Sequence, residues 1–402
     1  MKPGEDNPLF DEAARATAEG PSEDAARLTR EAEAAISKNP GNASLWFNLA
    51  DVLRRLRRTD EELTALEQGL ALQPGRTDAL LRAGSIYEAR GAAPVAAACY
   101  RTALASIQRG PPPAPHLRPM LERAASVVAA NTAALETFLD GRLKILRARH
   151  ANEPLARFDR CMATVLRKRR VFRPTPSFMY FPNLPAYEFY DRDDFPWLAS
   201  IEAATDDIRS ELMSVLADDH ASLRPYITTR KEGGVTAQKP PDDVWKELNE
   251  SPRWSAYFLW QEGVAYPQNI ARCSKTVAAL ESWPRCDLPR TAPTAMFSLL
   301  DARTRIPPHV GVTNVRLVVH VPLIVPPGCR FRVGAETRAW EPGKALVFDD
   351  SIEHEAWNDS DQLRAVLIVD IWNPFLTAAE RDMVRVLTDG VGEFYGSLPD
   401  YV

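Results

Sequence analysis

Of the six histidines in the 402 residues, three fall in one stretch: His309, His320 and His354. His309 follows Pro307-Pro308, and His354 comes 45 residues later, shortly after Phe348-Asp349-Asp350-Ser351. Arg364 stands ten residues further on, at the start of RAVLIVDIW. Imidazole is a ligand for divalent transition metals, and a guanidinium is a rigid bidentate fork for a carboxylate. A metal centre beside an anion site is the chemistry this order allows. At an isolated histidine the plainer reading is a hydrogen-bonded structural residue, and spacing alone does not displace it.

Such side chains must be positioned by the elements around them. From about residue 292 the chain runs in short segments rich in β-branched and aromatic residues: 292–300, 315–325, 329–334, 344–350 and 364–372, separated by Pro and Gly turns. These read as antiparallel strands closing a sandwich or barrel, with a cupin-like jelly roll (a double-stranded β-helix) as the expected architecture. A jelly-roll interior holds a small cofactor between two sheets, with ligands from strand ends and adjoining loops. Within VRLVVHVPLIV, Arg316, Val318 and His320 alternate, so all three point to one strand face.

The N-terminal third follows a different rule. Residues 43–76 and 77–110 align at a period of 34: Trp46 with Leu80, Leu49 with Ala83, Leu53 with Tyr87, Leu66 with Tyr100 and Gly69 with Ala103. Pro40 and Pro74 keep the same spacing, and 22–40 fits the second helix of a further, degenerate repeat. This resembles the tetratricopeptide pattern, in which small residues let two antiparallel helices approach and large apolar residues fill the gap. Residues 114–170 read as further helices capping the stack, after a stiff turn at 109–115. Prolines and aromatics replace helical periodicity at 172–197. The expected division is therefore helical repeats over 1–110, a helical cap or connector over 111–171, and an all-β-cored domain over 172–402, an α + β multidomain chain. A short repeat array serves equally as a peptide- or protein-binding surface and as a spacer or dimerisation element.

Lys plus Arg total 49 against 54 for Asp plus Glu, a net charge of -5, which argues against nucleic acid as a partner. No stretch of about 18 apolar residues spans a bilayer, and the first residues lack a secretory pattern. A cytoplasmic protein with no membrane partner is expected. The five cysteines are scattered and form no CxxC pair, so they read as reduced and structural. RKRR at 167–170 reads as a solvated helix end, His220 as exposed, and 230–243 as a mobile loop or a lid. Of the tryptophans in the second domain, only Trp260 carries a site argument, in the run Trp260-Gln261-Glu262-Gly263.

The full strings PHVGVTNVRLVVHVPL, GAETRAWEPGKALVFDDSIEHEAWNDS and LRAVLIVDIWNP closely resemble the aspartyl/asparaginyl β-hydroxylase family, from about Phe181 to Pro374, most specifically over 307–374. An upstream tetratricopeptide region recurs in that family. The order His, distant His, basic residue is that of non-haem iron oxygenases consuming 2-oxoglutarate. The resemblance implies that His309 and His354 bind Fe(II), and that Trp260, Ser298, His320 and Arg364 hold 2-oxoglutarate, with Arg364 and Ser298 at its distal carboxylate. It implies that Arg316 grips the acidic side chain or terminus of a substrate. Gly311 stands where a facial triad has its carboxylate; Gly is the expected residue in this family, with a water in the third place. Asp350, or its neighbour Asp349, would hydrogen-bond that water, although a strand-end turn is an equal reading of the pair. Two positions depart from the pattern: Val318, where a basic residue is common, and Glu262, where an amide is common. The implied reaction consumes O2 and 2-oxoglutarate and hydroxylates the β-carbon of aspartyl or asparaginyl residues in a peptide or protein presented by the repeats. The same chemistry on a small molecule or free amino acid, and a non-catalytic repeat adaptor, are the alternatives.

Overall fold

The computed structural model describes residues 23–107, 113–228, 245–396 and 398, so the N-terminal segment, most of the proline turn and the 230–243 segment lie outside the described residues. The chain divides into two compact units between Leu166 and Arg167, a few residues before the break expected at 172, so the helical cap belongs to the first unit.

Among the described residues seven α-helices build the first unit: α1 (Glu23–Lys38), α2 (Ala43–Arg55), α3 (Thr59–Leu72), α4 (Thr77–Ala89), α5 (Ala93–Ile107), α6 (Arg118–Arg149) and α7 (Ala156–Val165). The starts of α2 and α4, and of α3 and α5, keep the 34-residue period of the sequence. Asn42 caps α2 by accepting from the Ser44 N–H at 3.0 Å, as a short polar side chain does at a helix start. Phe47, Leu49, Ala50 and Leu53 of α2 bury against Leu63, Ala65 and Leu66 of α3. Gly69 makes that approach possible, since a Cβ there would lie 2.5 Å from the Phe47 ring. The first turns of α6 cover Leu80, Leu81, Tyr100 and Ala103 of the last repeat with Met120, Leu121, Ala124 and Val128. Among the described residues no helix is long and apolar enough to cross a membrane.

The second unit is a sandwich of antiparallel strands. One sheet runs in the order β1 (Arg224–Pro225), β2 (Trp254–Gln261), β4 (Ala295–Leu300), β11 (Arg364–Trp372), β6 (Arg316–Ile324), β9 (Leu346–Phe348), with β3 (Val264–Ala265) paired to β2. The other runs β5 (Thr304–His309), β10 (His354–Asn358), β7 (Cys329–Val333), β8 (Glu336–Arg338). From β4 to β11 the chain passes back and forth between the two sheets.

Alternation sorts the large sheet into two faces. Phe297, Leu299, Leu317, Val319, Val321, Leu367 and Val369 turn outward and are covered by α8 (Leu198–Ala203) and α9 (Thr205–Asp218) through Leu198, Ile201, Ile208, Leu212 and Val215. Trp254, Leu300, Val318, Phe348 and Val366 turn inward and meet Ile306, Phe331, Val333 and Ala356 of the small sheet. The polar residues of the expected site share this inward face. RKRR at 167–170 is not a wholly solvated helix end: α7 stops at Val165, Arg169 is paired with Glu188, and the Arg170 guanidinium lies 4.8 Å from the Phe172 ring centre. His220 is exposed, as expected.

Candidate active site

β5 ends on His309 and β10 begins on His354, and strand pairing sets these two residues opposite each other. Their ring centroids are 4.0 Å apart. His309 Nδ1 contacts the Pro307 carbonyl at 2.8 Å, and His354 Nδ1 the Ile352 carbonyl at 3.0 Å. A carbonyl only accepts, so each Nδ1 carries the proton and each Nε2 keeps its lone pair. Burial, then the facing His354 ring, lowers the His309 pKa to about 3. Burial, with the Arg316 charge adding to it, lowers that of His354 to about 4. Both rings are neutral at ordinary pH, the form that ligates a metal.

Beside them lies a buried charge cluster. Arg316, at the start of β6, donates from Nη2 to Asp350 Oδ2 at 2.7 Å and from Nη1 to Asp370 Oδ1 at 2.5 Å. Burial pushes both carboxyl pKa values up, and the guanidinium between them opposes that shift. Asp350 Oδ1 is buried and has no hydrogen-bond partner among the described residues. The Gly311 N–H donates to the Asp350 carbonyl at 2.7 Å, and the Asp350 carboxylate fills the space a side chain on Gly311 would need.

A second cluster lies on the neighbouring strands of the same face. Arg364, on β11, is among the largest fully enclosed side chains of the protein, yet no carboxylate pairs with it among the described residues, and its Nε has no partner. Its Nη1 donates to the Ser298 carbonyl at 3.4 Å, and its guanidinium lies 4.9 Å from the Trp340 ring centre. Burial lowers its pKa to about 10, so it stays charged at neutral pH. The Ser298 Oγ accepts from Trp254 Nε1 at 3.2 Å. His320 is buried nearby, and burial, then the Arg364 charge, lowers its pKa well below the usual value.

The fold thus brings together His309, His354 and Asp350, and separately Ser298, His320 and Arg364. Two expectations need correction. Trp260 packs on the outward face, against the helix-covered cluster, with the Arg285 guanidinium 5.6 Å from its ring centre. A register shift in β2 between Phe258 and Trp260 breaks the alternation that would have turned it inward. Arg316 does not present a free fork to a substrate, because both terminal nitrogens are taken by Asp350 and Asp370.

Four residues of the site escaped the sequence reading. Trp254 and Trp245 stand with ring centroids 6.3 and 5.4 Å from that of His309, Trp340 lies between His320 and Arg364, and Asp370 completes the Arg316 pair. Asp370 did leave a signal: it is an acid on an otherwise apolar strand, at even spacing from Arg364. Trp254 has the same parity as Ala256 and Phe258 on β2.

Among the described residues the site offers a pair of imidazole lone pairs beside an unpartnered carboxylate oxygen, and a buried guanidinium with which no carboxylate pairs. A family model described as "Aspartyl/Asparaginyl beta-hydroxylase" matches residues 202–374, and one described as "Tetratricopeptide repeat" matches residues 31–64. The "Aspartyl/asparaginyl beta-hydroxylase" of Mus musculus is 40% identical over 164 residues, 39% of this chain and 22% of that protein. The "Ornithine lipid ester-linked acyl 2-hydroxylase" of Rhizobium tropici is 37% identical over 193 residues, 47% of this chain and 62% of that one. The human "Aspartate beta-hydroxylase domain-containing protein 2" is 29% identical over 211 residues, 51% and 53% of the two chains. The chain therefore spans between 22% and 62% of the length of these relatives. Both histidines, Asp350 and Arg364 lie inside residues 202–374, the segment that the aspartyl/asparaginyl β-hydroxylase model matches, and the segment that matches a tetratricopeptide repeat precedes it.

Proposed function

We propose that this protein is a 2-oxoglutarate- and Fe(II)-dependent dioxygenase that hydroxylates the β-carbon of aspartyl or asparaginyl residues in a peptide or protein, and that the helical repeats recruit that substrate. The back-and-forth strand order supports the jelly-roll reading of the sandwich. The observation that carries the proposal is Arg364, an enclosed guanidinium with no carboxylate of its own among the described residues. Leaving such a charge unpaired costs several kcal/mol, a cost relieved when an anion binds.

The donor set fits the metal. His309 and His354 would hold it through Nε2, since each Nδ1 is committed to a backbone carbonyl. Two histidines would leave the remaining positions of the metal to oxygens from water and co-substrate. Bound there, Fe(II) supplies the activation of O2 that couples oxidative decarboxylation of 2-oxoglutarate to hydroxylation.

The chain's own residues bind, orient and exclude. Arg364 and the Ser298 hydroxyl receive the distal carboxylate, and His320 donates to the co-substrate from Nε2. Asp350, held by Arg316, offers its open Oδ1 to a water beside Gly311. Val318, Phe348, Val366 and Trp254 keep the interior dry, which strengthens every polar contact made inside it.

NMR detection of succinate formed from 2-oxoglutarate with Fe(II) and O2, comparing the native chain with His354→Ala, tests the proposal. Succinate from the native chain alone, accelerated by Asp- or Asn-containing peptides, is the expected result. A second reading, the same chemistry on a non-peptide substrate, is favoured by the similarity to the Rhizobium tropici lipid hydroxylase. Succinate that peptides do not accelerate would favour it. No turnover by fully metallated protein would overturn both and leave a repeat-containing adaptor.

A further inference from the structure

Trp340 lies just past β8, is 3% exposed, and touches both residues to which the co-substrate reading gives an anion-binding role. Its Nε1 is 3.3 Å from His320 Nδ1, and its ring faces the Arg364 guanidinium at 4.9 Å. The other side of the contact is fixed too, because Trp340 stacks on Phe331 with centroids 5.3 Å apart at 17°. Phe331 and Phe348 in turn pack on the His320 ring at 4.9 and 4.8 Å.

An indole N–H is a donor and never an acceptor, so His320 Nδ1 must be the acceptor. Because the ring is neutral, the proton sits on Nε2, and the open edge of His320 is a donor. The indole face meanwhile offers its negative quadrupole to the guanidinium, holding Arg364 without consuming its N–H groups. A carboxylate in place of the indole would hold the cation more strongly but would fill the fork a ligand needs.

We propose that Trp340 is a positioning residue for 2-oxoglutarate, setting the His320 tautomer through its N–H and the Arg364 fork through its ring. The proposal rests on the co-substrate reading above. Trp340 touches no reacting atom; it acts through two groups on adjacent strands, β6 and β11, and makes both of them donors toward an anion.

The test uses the full chain labelled with ¹⁵N-histidine, with the His320 signals assigned by comparison with His320→Gln. In the native chain the His320 ring should carry its proton on Nε2, and Trp340→Phe, which keeps a stacking ring but drops the N–H, should lose that preference. Calorimetric titration with 2-oxoglutarate in the presence of Mn(II) should give a Kd raised about three- to tenfold in Trp340→Phe, the range for one lost hydrogen bond. Thermal unfolding of each variant checks the fold. The double variant with His320→Gln should weaken binding by less than the product of the single effects, because the two side chains act as one unit. A native His320 protonated on Nδ1, or a Trp340→Phe chain binding as tightly as native, would overturn the role of Trp340 while leaving the oxygenase reading intact. A native chain that does not bind 2-oxoglutarate would overturn both.

Discussion

The carboxylate of Asp350 occupies the space that Gly311 leaves by having no side chain, so these two residues, 39 apart in sequence, share one position beside the histidine pair. Gly311 does not sit in the left-handed region, so its backbone would accept alanine; the obstacle is the carboxylate, which Arg316 holds at 2.7 Å. Gly311→Ala should therefore lower stability by about 1–3 kcal/mol, the range for an overpacked interior. Chemical unfolding is the measurement, and an unchanged midpoint would mean that Asp350 is free to leave. A carboxylate at 311 would meet the same obstacle, so Gly311→Asp should not tighten metal binding.

Arg364 sets ligand binding against stability. Removing an unpaired buried charge while keeping the chain length should help the empty protein, so Arg364→Met should unfold about 1–3 kcal/mol later than native without ligand. The order should reverse in saturating 2-oxoglutarate with Mn(II), which stabilises native by binding only the folded state and does nothing for the variant. Thermal melts with and without 2-oxoglutarate decide it. If Arg364→Met is destabilised to the same extent in both conditions, the guanidinium is structural.

Asp349 gives the site a pH dependence. Burial, with the adjacent Asp350 adding to it, raises its pKa to about 7, against the hydrogen bonds from the Ser351 N–H and hydroxyl, both accepted by Oδ1. A carboxyl whose folded pKa lies above its unfolded value favours the folded state below the unfolded pKa, near 3.8, and that contribution is lost as pH rises to about 7. Asp349→Asn keeps an Oδ1 acceptor but cannot ionise. Its stability relative to native should rise from pH 5 to pH 7, with a slope of up to about 1.4 kcal/mol per pH unit, and level off above. Parallel unfolding curves across that range would show that Asp349 does not titrate there.

How much of this was legible in the sequence depends on what each strand had to bury. β4, β6, β7, β9 and β11 carry β-branched, apolar runs and fall inside the segments read as strands. The two strands that carry the paired histidines, β5 at its end and β10 at its start, do not announce themselves. β5 is Thr-Arg-Ile-Pro-Pro-His, and two prolines argue against a strand; it is one because it pairs only with β10, at a sheet edge where a missing N–H costs little. β10 is five residues of mixed polarity, His-Glu-Ala-Trp-Asn, held between two neighbours. The repeat was readable because a 34-residue period repeats its contacts. The Arg316 pairing was not, since Asp350 and Asp370 come to it from a turn and from another strand, and no spacing in a single sequence encodes that.

The exchange of Trp260 for Trp254 shows how a one-residue irregularity misdirects a motif. Both lie on β2, but the register shift ahead of Trp260 turns it to the outward cluster, while Trp254 keeps the parity of Ala256 and Phe258 and donates to Ser298 Oγ. Trp254→Phe should preserve the stack on Tyr226, now at 4.1 Å, and lose only the hydrogen bond. Without it the serine hydroxyl is no longer aimed, and the 2-oxoglutarate Kd should rise about threefold or more, as for one lost hydrogen bond. Trp260→Phe touches neither Ser298 nor Arg364 and should leave that Kd within about twofold of native, the scatter expected for a substitution away from the ligand. Calorimetric titration of the two variants side by side decides between them: the opposite order would put Trp260, not Trp254, beside the co-substrate and would require β2 to be straight where the structure bends it.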